Sequence, residues 1–79
     1  MNTNSEDQVA EVLAMLEQAG LGPLISTGET ARFLGLKPAA VLRALAAGKL
    51  EGVRVGSKAG RWRISAREVA RYACGNRTV

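Results

Sequence analysis

Val53-Arg54-Val55-Gly56-Ser57-Lys58-Ala59-Gly60-Arg61-Trp62-Arg63-Ile64 decides how this chain folds. Val53 and Val55 alternate with Arg54, and Trp62 and Ile64 alternate with Arg61 and Arg63. A period of two marks a β-strand, so each run predicts a strand with one apolar and one basic side. Gly56-Ser57-Lys58-Ala59-Gly60 lies between the runs with a glycine at each end, which suits a hairpin loop. The expected apolar face of this ribbon is Val53, Val55, Trp62 and Ile64. The expected basic face is Arg54, Arg61 and Arg63, with Lys58 at the tip. A two-stranded ribbon is not stable alone, so the rest of the chain must cover its apolar face. The basic face suits a polyanion.

Upstream of the ribbon the pattern turns helical. Ser26-Thr27-Gly28-Glu29 has the spacing of a capping box, with Ser26 or Thr27 as the cap. Ala31, Phe33 and Leu34 give that helix a buried side, and Gly35 ends it. Leu36-Lys37 makes the turn. Pro38 suits the first position of a second helix, where its missing N–H is not needed. That helix runs through Val41, Leu42 and Leu45 to Ala47, with Gly48 as its stop. Two short helices joined by a glycine-containing turn are a helix-turn-helix candidate. Gly48-Lys49-Leu50-Glu51-Gly52 then leads into the ribbon.

Downstream, Ser65-Ala66-Arg67-Glu68 is a second capping-box match. It opens a helix through Val69, Ala70 and Tyr72 to about Cys74, with Gly75 as its stop and 76–79 as a frayed tail. At the other end, Met1 to Asn4 are expected to be disordered and Ser5 to cap a helix over 6–19. Glu6 and Asp7 sit in its first turn, where the helix dipole favours anions. Val9, Val12, Leu13 and Leu16 follow at helical spacing, and Gly20 closes the helix. Its apolar stripe is narrow and its other side acidic, so it either packs on its own domain or offers a surface to a partner. Leu21-Gly22-Pro23 breaks the chain, and Leu24-Ile25 adds a short extended piece.

Composition bounds the function. A chain this short holds one small core. One cysteine, Cys74, permits neither an internal disulfide nor a thiolate zinc cluster, and there is no histidine. With no nucleophile–base pair, no phosphate-cradling glycine loop and no metal spacing, an enzyme, a cofactor and a small-molecule ligand are not expected. No apolar run approaches the roughly 20 residues of a membrane span. The polar, acidic start does not resemble a signal peptide, so a reduced cytoplasmic setting is expected, with the protein on the bacterial nucleoid. Net charge is +4. Residues 1–29 hold five acidic and no basic residues, a net −5, while 30–79 hold all 11 basic residues and only Glu51 and Glu68, a net +9. Such density is the electrostatic footprint of nucleic-acid binding; the plain alternative is a soluble basic surface.

From Leu24 to Ala73 the chain resembles the excisionase-type, MerR-like winged helix-turn-helix family. Ile25-Ser26-Thr27-Gly28-Glu29-Thr30-Ala31-Arg32-Phe33-Leu34-Gly35-Leu36 resembles the family's opening. Val41, Arg43 and Leu45 sit where the recognition helix has its anchors, and Ala47-Gly48-Lys49-Leu50 resembles a Gly-Lys-Leu turn. Val53 to Gly56 with Arg61 to Ile64 resembles the wing, and Ser65 to Tyr72 the final helix. The resemblance implies an α+β, mostly helical fold: helix-turn-helix, β-hairpin wing and closing helix, with an extra helix in front. It divides the chain into an acidic helix and linker over 1–23, a DNA-binding domain over 24–75 and the tail. It also implies double-stranded DNA as partner, with the second helix in the major groove and the wing on the minor groove or phosphates. Many such proteins are excisionases, or recombination directionality factors. They bind tandem sites cooperatively, bend DNA and bias an integrase toward excision of a phage or mobile element. Others regulate transcription.

The expected DNA-binding residues are Lys37, Pro38, Ala39, Ala40, Arg43 and Lys49 from the helix-turn-helix, and Arg54, Ser57, Lys58, Arg61 and Arg63 from the wing. The recognition helix departs from the family's polar start. Bidentate base readers are scarce in Lys37-Pro38-Ala39-Ala40, where Ala39 and Ala40 offer methyl contacts to thymine and permit close backbone approach. Arg43 is the one long donor in mid-helix. Sequence readout is therefore expected to be modest, with DNA shape and neighbouring copies adding specificity. Trp62 and Phe33 are expected in the core, and Arg67 and Arg71 in solvent. Nothing after Cys74 matches the long dimerisation helix of the large MerR regulators, so self-association or integrase contact falls to the acidic helix. That helix, with the donor-poor recognition segment, also keeps a protein-interaction adaptor open as an alternative.

Overall fold

The computed structural model of the chain describes residues 4–55 and 61–77. Four helices and three strands follow in the order α1 (Asn4–Gln18), β1 (Leu24–Ile25), α2 (Thr27–Leu34), α3 (Pro38–Ala46), β2 (Val53–Val55), β3 (Arg61–Ser65) and α4 (Ala66–Arg77). The chain is thus mostly helical α+β, with β2 and β3 as a wing behind a helix-turn-helix.

The helix-turn-helix forms where its local signals coincide. Ser26 caps α2 in extended backbone (φ −77°, ψ 166°). Its Oγ accepts the Glu29 N–H at 3.1 Å, and the Glu29 carboxylate accepts the Ser26 N–H at 3.4 Å, which closes the capping box. Gly35 ends α2 at φ +73°, a left-handed backbone that an L side chain disfavours. There the Leu36 N–H reaches the Ala31 carbonyl at 2.8 Å and the Gly35 N–H the Arg32 carbonyl at 3.3 Å, the paired bonds of a Schellman turn. Pro38 takes the first turn of α3 as expected. Gly48 repeats the device at φ +77°, and the Lys49 N–H reaches the Ala44 carbonyl at 2.9 Å. Gly48 thereby turns the chain from α3 toward the wing.

One core joins all these pieces. Val41, Ala44 and Leu45 on α3 meet Ala31 of α2, Ile25 of β1, Leu50, Ile64 of β3, and Val69 and Ala70 of α4. Phe33 and Trp62 pack against this cluster half-buried. Helix α1 packs along α4 and adds Val9 and the fully buried Leu16 to the same core. The acidic helix therefore packs on its own domain, and its exposed side carries Glu6, Asp7, Glu11 and Glu17.

The sheet corrects the expected ribbon. Its order is β1-β3-β2, all antiparallel, so Leu24-Ile25 is a third strand. Across the wing Val53 pairs with Arg63, Arg54 with Trp62 and Val55 with Arg61. Residues directly opposite share a face. Val53 and Val55 therefore lie with Arg61 and Arg63 on the outer face, 58% and 53% exposed. Arg54 lies with Trp62 on the inner side, its guanidinium 5.3 Å from the indole centroid. A single basic face of Arg54, Arg61 and Arg63 does not form. Gly52 fills the inner position beside Ile64, where a valine would not fit: a Cβ there would lie 3.1 Å from both the Arg63 carbonyl oxygen and Ile64 Cγ1.

Helix ends differ from expectation in three places. α1 begins at Asn4, so Ser5 lies inside it rather than capping it. α4 continues through Gly75 to Arg77, because one glycine in a helix costs only about 1 kcal/mol and packing against α1 outweighs it. Asn76 and Arg77 are thus helical rather than frayed. The second capping-box match also works differently. The Ser65 Oγ accepts the Glu68 N–H at 3.1 Å. The Glu68 carboxylate instead accepts the Glu51 N–H at 3.2 Å and pairs with Arg71 at 2.9 Å. It ties α4 to the segment leading into the wing, and Arg71 pairs with it while staying exposed to solvent as expected.

Candidate nucleic-acid interface

Helix α3 sets out the candidate recognition surface. Val41, Ala44 and Leu45 point inward, which leaves Ala39, Leu42, Arg43 and Ala46 at helical spacing on the outward side. Lys37 and Pro38 are exposed at its start. Ala40 is half-buried, so Ala39 rather than Ala40 is the available small side chain. Lys37 caps α3 through its backbone without a side-chain bond, which leaves its ammonium group to solvent or to a ligand.

A concave groove joins α3 to the wing. Its walls are Ser26, Thr27 and Gly28 at the start of α2, Pro38 and Leu42 of α3, and Arg61, Trp62 and Arg63 of β3. The start of α2, where the Glu29 carboxylate closes the capping box, thus lines the same groove as Arg61 and Arg63, and those two arginines are the groove's positive charges, suited to a phosphate. The start of α2, Leu42 and Trp62 are the groove residues outside the expected DNA-binding set. The capping box at Ser26 is the signal for the first of these, since it fixes where a helix N-terminus must lie.

The other expected contacts are spread more widely. Arg54 stacks on Trp62, which holds its guanidinium on the wing while its edge donors remain free to bond. Lys49 lies outside the groove, in a separate hollow with Glu68, Arg71 and Tyr72 on the α4 side. Its backbone holds the turn after α3. Ser57 and Lys58 fall outside the described residues. Glu68–Arg71 is the only ion pair among the described residues, so Arg43, Arg61 and Arg63 reach the surface without a carboxylate partner there. Cys74 is half-buried in α4. Among the described residues no group of three His, Cys, Asp or Glu could hold a metal ion. No helix among them is long and apolar enough to cross a membrane.

Comparison with known proteins agrees with this arrangement. A family model described as a helix-turn-helix domain matches residues 24–77, which span β1 to the end of α4. Searches of curated proteins and of solved structures gave no match. The match covers both helices of the turn, the wing and the closing helix, and on that evidence the chain belongs to the helix-turn-helix domain family, a DNA-binding fold.

Proposed function

We propose that the chain is a non-catalytic architectural DNA-binding protein of the excisionase type. In this reading α3 enters the major groove, with Arg43 as its polar probe. Arg61 and Arg63 hold the adjacent phosphates, and Arg54 and the wing follow the backbone toward the minor groove. Copies occupy tandem sites cooperatively and assist an integrase in excising a mobile element from the bacterial nucleoid. The observation that carries the reading is the groove itself. One concavity is lined by the recognition helix, a helix N-terminus and two arginines that no described carboxylate pairs, inside a segment of net charge +9.

The donor-poor face of α3 suits such a role. An architectural protein draws affinity from phosphates and DNA deformation more than from base edges. The test is binding to duplex DNA across a salt series. Affinity should fall by about 0.9 log units per log unit of salt for each phosphate held. Arg61→Glu combined with Arg63→Glu should abolish binding while the fold persists. Full binding by that double variant would defeat the reading and favour the adaptor, whose supporting observation is the same apolar α3 face. Transcriptional regulation uses the same contacts. A recombination assay with an integrase encoded beside this gene separates it from excision.

A further inference from the structure

Leu42 calls for a chemical explanation. It is 45% exposed on α3, the helix whose inner side is otherwise well packed. Ala39 precedes it and Ala46 follows it by about one turn each on the same outward side, and Pro38 lies beside it in the groove. Arg43 is the only member of this outward row with a side-chain hydrogen-bond donor. The surface meant for base edges is thus a small apolar strip with one guanidinium at its side.

A helix seated in the major groove removes water from the base edges beneath it. Ala39, Leu42 and Ala46 cannot replace the hydrogen bonds lost by guanine N7 and O6 or by the amino groups of adenine and cytosine, so covering those groups is costly. The one apolar group on the groove floor is the C5 methyl of thymine. We infer that Leu42 is a specificity residue for 5-methylpyrimidines. Its isobutyl group packs on a thymine methyl, Ala39 and Ala46 let the helix backbone approach, and Arg43 supplies the single direct hydrogen-bonding contact. Arg61 and Arg63 line the same groove as Leu42, so the phosphates they hold fix the depth at which the leucine meets the base. The inference rests on the DNA-binding reading and adds to it the chemical group that is recognised.

The test uses two pairs of duplexes that differ only in that methyl. Affinity is measured for alternating adenine–thymine against alternating adenine–uracil DNA, and for alternating guanine–cytosine DNA with and without C5 methylation of cytosine. Loss of each contacted methyl should weaken binding about four-fold. Methylated cytosine should strengthen it by a similar factor. In a Leu42→Ala chain both ratios should fall to near one, whereas Arg43→Ala should weaken binding and keep the ratios. Equal affinity of the parent chain within each pair would overturn the inference and leave the DNA-binding reading intact. Methyl ratios that persist in Leu42→Ala would also overturn it. Absence of binding to every duplex at low salt would instead bring down the DNA-binding reading, and the inference with it.

Discussion

Replacing Gly52 by alanine should destabilise the fold even though Gly52 does not lie in left-handed backbone. The added Cβ would lie 3.1 Å from the Arg63 carbonyl oxygen, 3.1 Å from Ile64 Cγ1 and 3.2 Å from Leu45 Cδ2. Ile64 is fully buried and Leu45 nearly so. One of the three neighbours is main chain and cannot rotate away. Overpacking of this kind costs about 1–3 kcal/mol. Alanine returns about 0.4–1 kcal/mol by restricting the unfolded chain, so the mid-range net loss is about 1.3 kcal/mol. At about 4–8 °C per kcal/mol for a domain of this size, the melting temperature should fall by about 5–10 °C. Gly28 is the control: it lies inside α2, where an added Cβ would meet nothing within 4 Å. Gly28→Ala should raise stability by about 0.5–1 kcal/mol through helix propensity. Thermal unfolding followed by far-UV circular dichroism measures both. A Gly52→Ala chain that melts at or above the parent temperature would refute the packing argument, because the three contacts would then be relieved at no cost.

Three further outcomes follow from the local bonds. Ser26→Ala removes the capping-box acceptor and should cost about 1 kcal/mol, read as an earlier denaturant midpoint with an unchanged slope. Glu68→Ala removes the acceptor of the Glu51 N–H as well as the partner of Arg71, and should cost about 1–2 kcal/mol. Glu68→Gln keeps an acceptor oxygen and should lose less, so equal losses would argue that the bond to Glu51 contributes nothing. Arg54→Ala removes the cation from Trp62 and should cost about 0.5–1 kcal/mol. Trp62 is the only tryptophan, so its fluorescence should shift on that substitution, and an unchanged spectrum would place Arg54 elsewhere.

Much of the fold is local and could be read from the chain. The capping box at Ser26, the glycine turns at Gly35 and Gly48 and the proline opening α3 each act within a few residues, so sequence spacing is enough to find them. The wing faces depend on a non-local quantity, the register between two strands. Alternation within Val53–Val55 and within Arg61–Ile64 was plain, but it says nothing about which side of one strand meets which side of the other. The pairing of Val55 with Arg61 puts valines beside arginines and sends Arg54 to the tryptophan. Hydrophobic matching predicts the reverse, because it takes every apolar residue on the wing to face inward. Gly75 failed as a stop for a related reason: the packing that carries α4 past it comes from α1, far away in the chain. Of the candidate site, α3 and the β3 arginines were legible. The groove they share with the α2 N-terminus was not, since it exists only once β3 lies beside α2.

The seating of α1 against α4 has an electrical consequence. Glu6, Asp7, Glu11 and Glu17 are fixed on a helix whose main packing partner is α4, while the groove is built from α2, α3 and β3. In the DNA-binding reading, acidic side chains held on α1 and basic ones lining the groove give the molecule a preferred orientation near a polyanion. A net charge of +4 understates the torque it feels near a polyanion. On that reading, approach to DNA should favour orientations with the groove forward and the acidic helix turned away. Encounters then begin in a productive orientation, and removing the four carboxylates should strengthen indiscriminate contact while spoiling that alignment.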